Sequence, residues 1–390
     1  MDAQATANLL RFFRELDDPR AANASHQLGD ILAIAIMAVM CGCQGWVAVE
    51  TWARGNHHWL RGLLALPRGI PTHDTFDRVF GLIDPLKFEK CFQALTRQLV
   101  KGSGGMFLAV DGKTARRSYK NRWSNTAVHL VSAFVTQNQT VLGQLATDAK
   151  SNEITAIPKL LAMLDIAGLT VTIDAMGCQR RIVEQIHQQK GHWIISLKGN
   201  QTTLHEKVKC LMDEAILCGA KQANLGYFEQ TQDKNNHGRI ETRKVWVSNE
   251  VHWLGEEILE QWPQLRSMIV VELKRQDLGD ITGKVSVERR YFISDHTHQD
   301  AGFFARGIRE HWGVENGLHW RLDVQMDEDQ CRLRKNHGAE NFSRLRRLAL
   351  NKLQRAQMLK DNGKPMKIGL KLKQQACGWS REFLLQALMA

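Results

Sequence analysis

The chain has 390 residues, 43% of them hydrophobic, and a formal net charge of +11. That length holds two or three domains and that apolar content allows a real core, which excludes a disordered chain. The charge is uneven: residues 331–390 carry 14 Lys/Arg against 3 Asp/Glu, so residues 1–330 are together close to neutral. A basic C-terminal end on a neutral body points to a polyanionic partner.

The eight cysteines are scattered and never form a CxxC pair, so neither a disulfide framework nor a zinc ribbon is indicated. No charged n-region followed by an apolar core and a cleavage site opens the chain, so export is not expected and a reducing cytoplasm fits. The longest apolar stretch, Ile31 to Cys41, is too short to cross a bilayer and reads as a buried helix.

In chain order, Leu28 to Cys41 predicts one apolar helix, Cys41-Gly42-Cys43-Gln44-Gly45 breaks it, and Trp46 to His58 predicts a second. Helix, glycine turn, helix is the outline of a DNA-reading module, although many helical hairpins share it. After Pro67 and Pro71, Thr72 or Asp74 can cap a further helix, and another is expected from Pro85 to Val100. Lys101-Gly102-Ser103-Gly104-Gly105 reads as a flexible joint.

Beyond that joint, strands are expected near 106–111, 128–136 and 141–147, then a helix at 154–167, a strand at 169–174, a helix at 179–189 and a strand at 192–197. Three strands followed by αβαβ describe a ribonuclease H-like α/β core, a mixed sheet with helices on both faces. From about 218 to 295, segments such as Arg243 to Val247, Met268 to Leu273 and Lys284 to Arg289 read as strands with one solvated face, a β-rich insertion. The domain plan is then 1–100, an N-terminal helical domain; 101–217, the first part of the core; 218–295, the insertion; 296–350, the second part of the core; and 351–390, a basic C-terminal region.

Asp111 and Asp174 each end an apolar run, at the carboxyl end of a strand where an α/β sheet opens its crevice, and Glu315 follows in an amphipathic helix. Carboxylates converging without a Cys/His set of zinc spacing suit two hard divalent cations and phosphodiester chemistry. An aspartate at a strand end is also a common turn former or helix cap. Lys113, Arg116 and Arg117 follow the first acid and Gln179, Arg180 and Arg181 the second, all groups suited to phosphate oxygens. Lys198, Asn200 and Gln201 follow the strand at 192–197 and should emerge on the same sheet edge as the aspartates. Trp312, Asn316 and His319 lie on or beside the Glu315 face, where Trp312 and Trp320 suit either core packing or base stacking. His311, Glu315 and His319 are spaced by four, which also permits a zinc reading, but the H-E-x-x-H pattern is missing. Asp323, one turn further, rivals Glu315 as third metal ligand.

Val110-Asp111-Gly112-Lys113, Ser151-Asn152-Glu153-Ile154, Asp174-Ala175-Met176-Gly177-Cys178-Gln179, Leu197-Lys198-Gly199-Asn200-Gln201 and the run Arg309 to Trp320 resemble the H-repeat-associated, ISAs-type DDE transposases of bacterial insertion sequences. The similarity extends to Asp18-Pro19-Arg20, Gly69 to Phe76 and the segment Glu328 to Asn341. It implies that Asp111, Asp174 and Glu315 are a catalytic triad binding two Mg²⁺ ions, with Mn²⁺ as a substitute. It implies an enzyme that binds terminal inverted repeats, hydrolyses the phosphodiester at each end and joins the 3′-hydroxyls to target DNA, as a homodimer or higher oligomer at the nucleoid. Double-stranded DNA would then be met by Lys113, Arg116, Lys198, Asn200, Gln201, Arg309, His311, Trp312, Asn316 and His319, with Arg344, Arg346 and Arg347 adding sequence-independent phosphate contacts. The Y-x2-R-x3-E-x6-K signature of related hairpin-forming enzymes is absent: Ile308, His311 and Leu322 stand at its other positions, with Arg309 and Arg321 nearby. A nuclease that cuts without joining, and an inactive DNA-binding relic, are the alternative readings.

Overall fold

The computed structural model describes residues 2–21, 24–99, 105–118, 127–147, 153–232, 239–278, 284–359 and 363–390. The predicted joint at 101–104 and the Ser151-Asn152 motif lie outside them. The chain forms two compact units, one comprising Met1–Gly102, Gly112–Asn152 and Glu315–Ala390, the other Ser103–Asp111 and Glu153–Val314. No described helix is long and apolar enough to cross a membrane.

In the first unit the helix Leu28–Met40 is apolar on every side, and Ile31 through Met40 are buried, as a helix without a polar stripe must be. It stops where the Cys41 and Gly42 N–H groups donate to the Met37 and Val39 carbonyls and Gly42 takes φ +92°, a conformation glycine adopts without steric cost. The second expected helix is broken in two, Trp46–Gly55 and His57–Leu60. At the break the Asn56 backbone and side-chain amides both donate to the Trp52 carbonyl, ending the first piece. Asp84 caps the helix Pro85–Thr96 by accepting from the Leu86 and Lys87 N–H groups, and a 3₁₀ turn, Arg97–Leu99, follows.

Against these helices packs the long helix Gly338–Arg355, and its interior corrects one expectation. Arg344, Arg346 and Arg347 are at most 1% exposed. Arg344 Nε donates to Glu89 Oε2 at 2.5 Å, Arg347 Nη1 to Glu328 Oε1 at 2.8 Å, and Arg346 Nε to the Met326 carbonyl at 3.0 Å, with its guanidinium 4.4 Å above the Phe342 ring. Phosphate contacts by these three are therefore ruled out. A buried charge without a partner costs several kcal/mol, so each arginine is held by an internal anion or carbonyl instead.

The strands are β1 (Phe107–Thr114), β2 (His129–Val135), β3 (Thr140–Thr147), β4 (Thr170–Ile173), β5 (His192–Leu197), β6 (Gly226–Gln232), β7 (Arg239–Ser248), β8 (Ser267–Asp277) and β9 (Val285–Ser294). In the first unit β2 and β3 form an antiparallel pair from His129↔Thr147 to Val135↔Thr140, and the Ala115 N–H, just past β1, donates to the Val128 carbonyl. In the second unit the order is β1-β4-β5-β9-β8-β7-β6, parallel through β5 and antiparallel beyond it. β4 is buried along its whole length, as parallel strands covered by helices are. The helix Ala301–His311 lies close to β1 at Gly307, where a Cβ would stand 2.5 Å from Phe107 Cε1. This is a ribonuclease H-like α/β fold with an N-terminal helical region. The β-rich segment is no separate layer: β9 pairs with β5, so β6 to β9 continue the core sheet.

Because Arg344 and Glu89 are both fully buried, Arg344→Ala should lower the unfolding free energy by about 3–5 kcal/mol, read from the midpoint of urea unfolding. A loss below about 1 kcal/mol would mean that Glu89 finds water or another cation.

Candidate active site

β1 and β4 are paired in parallel from Phe107↔Thr170 to Val110↔Ile173. The next residues are Asp111 and Asp174. The two aspartates therefore leave neighbouring strands at the same level, at the carboxyl ends, in the second unit, the strands being about 4.8 Å apart. Asp174 also does what a strand-end aspartate commonly does: its Oδ1 accepts from Met176 N at 3.1 Å and Gly177 N at 3.4 Å, capping the turn Ala175–Gly177. The turn is tight, since a Cβ on Gly177 would lie 2.2 Å from Ile173 Cγ2. Capping uses one oxygen and orients the whole carboxylate.

Two residues after β5 brace that turn. Asn200 Nδ2 donates to the Ala175 carbonyl at 2.6 Å, and Gln201 Nε2 to the Cys178 carbonyl at 2.9 Å. Their side-chain amides thus have a positioning role that the sequence reading missed, while Lys198 stays exposed. Thr172, two residues before Asp174 and hence on the same face of β4, has its Oγ1 3.1 Å from His311 Nδ1. Trp312 is half exposed with the Arg290 guanidinium 5.1 Å from its ring centroid, so core packing is not its role. Arg309 Nη2 donates to Gln232 Oε1 at 3.2 Å. A cleft of about 700 Å³ opens beside the Asp174 turn, with Lys159, Gln179, Arg180, Arg181 and Gln201 in its wall.

In the first unit, Glu315 and Asn316 are exposed on a segment that differs from the expected amphipathic α-helix. Glu315–His319 and Arg321–Gln325 are wound as π-helix, whose i→i+5 hydrogen bonds break the four-residue periodicity on which the shared face was predicted. His319 is buried, with its Nδ1 3.4 Å from Glu315 Oε2, rather than open to a partner, and Trp320 is half exposed.

Lys113, expected at phosphate, is instead internal. Its Nζ lies 2.7 Å from Asp323 Oδ1, 3.2 Å from Glu328 Oε2 and 3.3 Å from Asp329 Oδ1. Burial works against its charge, yet Glu328, Asp323 and Asp329 raise its pKa above the ordinary lysine value. Asp323 is thereby an ion-pair partner of Lys113 and half-buried, while Glu315 is exposed. Arg116 remains 82% exposed, although its Nε is 3.5 Å from Asp329 Oδ2. Glu328 lies between Lys113 and Arg347, and Ser343 Oγ donates to it at 2.6 Å. No spacing in the sequence links residues 113, 328 and 347.

Residues 102–352 match the family described as Transposase DDE domain, and residues 10–96 match the DDE_Tnp_1-associated family. The chain belongs to the DDE transposase family. The family's domain is of a nucleotidyl-transferase type that generally works with divalent metal ions. Among similar proteins, "H repeat-associated putative transposase YhhI" of Escherichia coli (strain K12) is 37% identical over 366 residues, covering 93% of this chain and 92% of the relative. "Uncharacterized protein in dhlA 3'region" of Xanthobacter autotrophicus is 42% identical over 289 residues, covering 73% of this chain and 94% of the relative. The cryo-EM structure of the piggyBac transposase synaptic complex with hairpin DNA aligns over 100% of this chain and 78% of its own at 10% identity; its TM-score of 0.40 is too low to carry a conclusion.

The Glu328 cluster makes a pH prediction. Burial alone would raise the Glu328 carboxyl, but Arg347, Lys113 and Arg346 hold it well below the usual glutamate range. A depressed folded-state pKa gives stability that is present above the unfolded value of about 4.3 and is lost as pH falls through the folded value. Denaturant unfolding from pH 6 downward should therefore show a steeper acid decline for the native protein than for Glu328→Gln; parallel declines would remove Glu328 from the acid response.

Proposed function

We propose that the protein acts as a DNA transposase, binding the terminal inverted repeats of an insertion sequence, hydrolysing the phosphodiester at each end and transferring the 3′-hydroxyl ends to target DNA. The observation that carries this reading is that Asp111 and Asp174 directly follow the paired residues Val110 and Ile173 on adjacent parallel strands, in a chain matching the Transposase DDE domain. Glu315 is the third member of the triad. An all-carboxylate donor set fits hard divalent cations, two Mg²⁺ or Mn²⁺ ions held by Asp111, Asp174 and Glu315. When bound, such ions polarise the scissile phosphate and lower the pKa of a coordinated water.

The chain's own residues supply position and charge. The capped turn holds the Asp174 carboxylate in one orientation, and Asn200 and Gln201 keep that turn from shifting. Lys159, Arg180 and Arg181 give their cleft a positive wall suited to a sugar–phosphate strand, with Lys198 exposed on the loop after β5. Trp312, already stacked on a guanidinium, offers a face to a splayed base, and Arg116, Arg309 and Asn316 add polar contacts. With Arg344, Arg346 and Arg347 internal, sequence-independent phosphate contacts fall to exposed cations of the C-terminal segment such as Arg332, Lys367 and Lys371. Residues 1–100 take end recognition, 101–217 and 296–350 the catalytic core, 218–295 its β-rich insertion and 351–390 the basic end. Two ends handled together call for a homodimer or higher oligomer, working in the cytoplasm at the nucleoid.

Asp111→Ala, Asp174→Ala and Glu315→Ala should each lower cleavage of the element's own ends by orders of magnitude in Mg²⁺ or Mn²⁺, while gel shifts in Ca²⁺ stay unchanged. Normal cleavage by Glu315→Ala would place the third ligand elsewhere. Supplying pre-cut ends separates the second reading, a nuclease on the same core, which would give no joined product.

Replacing Arg332, Lys367 and Lys371 with glutamine should flatten the salt dependence of DNA binding by roughly 0.9 in log–log slope for each phosphate left without its cation. An unchanged slope would make that segment a solvated surface.

A further inference from the structure

At the opposite end of β4 from the aspartates lies a second cluster of ligand-bearing side chains. His192 opens β5, Asp295 and His296 directly follow β9, and their ligand atoms all lie within 4.8 Å of one another in the second unit. Four residues of strand separate this level from Asp174, about 13 Å along β4, so the cluster is distinct from the proposed catalytic carboxylates.

We propose that His192, Asp295 and His296 form a structural site for a borderline transition-metal ion, zinc first, that ties the start of β5 to the exit of β9. His192 Nδ1 and Asp295 Oδ2 are 3.0 Å apart, and two donors of one tetrahedral zinc ion, each at about 2.0–2.1 Å, sit about 3.3 Å apart. The donor set, two imidazoles and a carboxylate, suits zinc or its neighbours and not magnesium. The supports a ligand needs are already built. Asp295 Oδ1 accepts from Trp193 N at 2.8 Å, which fixes the carboxylate, and Thr170 Oγ1 stands 3.0 Å from His296 Nε2, which fixes that ring. The His192 and His296 ring centroids are 4.5 Å apart, so both imidazoles are close to one another and to Asp295. His192 is 48% exposed in its side chain, so an ion has a path from solvent, and the fourth position falls to water.

The location gives the site a purpose. After β9 the chain runs on into the helix Ala301–His311, whose His311 Nδ1 lies 3.1 Å from Thr172 Oγ1 of β4. An ion here would clamp the strand that feeds that helix to the parallel core.

The test uses the full-length protein freed of metal by a chelator, with Cys210→Ser and Cys218→Ser in every arm to remove the exposed thiols. Zinc is titrated against a chromogenic competitor, and Co²⁺ is added separately to read its visible ligand-field spectrum. The expected result is one zinc equivalent retained by Asp174→Asn and weakened by at least about tenfold in His192→Gln and in His296→Gln, with a Co²⁺ spectrum and a zinc-dependent rise in Tm that both disappear in His192→Gln. His192 is half exposed, so that variant should keep its fold, and circular dichroism confirms it. Equal zinc stoichiometry and affinity in the parent and in folded His192→Gln would overturn the proposal, as would zinc binding abolished in Asp174→Asn alone.

Discussion

The parallel pairing of β1 on β4 is the constraint from which the candidate site follows. Four residue pairs, from Phe107↔Thr170 to Val110↔Ile173, set the level at which both aspartates leave the sheet. A slip of one residue would turn one carboxylate to the other face, because side chains alternate along a strand. What prevents the slip is packing. Leu108, Val110, Val171 and Ile173 are all buried, Gly307 lets the helix Ala301–His311 come down onto Phe107, and Gly177 lets the turn after Asp174 fold back over Ile173. The Asn200 and Gln201 amides then act on a turn whose position is already decided.

The first unit is organised by charges that face inward. Lys113, Arg344, Arg346 and Arg347 are all buried, and Glu89, Asp323, Glu328 and Asp329 are the anions that answer them. A buried ion pair adds little net stability over a well-packed apolar pair, but losing one partner is costly. Such pairs therefore narrow which arrangements the helices can adopt more than they deepen the native minimum. They also mean that the count of basic residues in the C-terminal segment overstates the field that segment presents to a polyanion.

What could be read from the sequence depended on how local its signal was. β1, β4 and β5 were legible because buried parallel strands are near-continuous apolar runs ended by a polar residue. The stop of the helix Leu28–Met40 was legible because Gly42 occupies a left-handed position. The break at Asn56 was not, since an amide closing on the carbonyl four residues back leaves no compositional trace. Arg344, Arg346 and Arg347 looked like a basic surface because the pattern of a helix does not say that a glutamate more than 250 residues earlier, Glu89, lies against it. Lys113 misled for the same reason, its partners being 210 to 216 positions away. The choice of Glu315 over Asp323 came from resemblance, and the ion pair between Asp323 and Lys113, 210 positions apart, had no signal in the sequence.

The two π-helical stretches, Glu315–His319 and Arg321–Gln325, make this part of the chain tolerant of length change in a way that ordinary helix is not. Each wide turn behaves as though one residue had been inserted into an α-helix and absorbed without propagating. Loss of a single residue from such a turn would let the backbone close into ordinary α-helix while the helix beyond kept its register, whereas the same loss from ordinary helix turns everything that follows by about 100° about the axis. Such a loss in the first stretch would leave Leu322, which lies beyond it, facing the core as it does now.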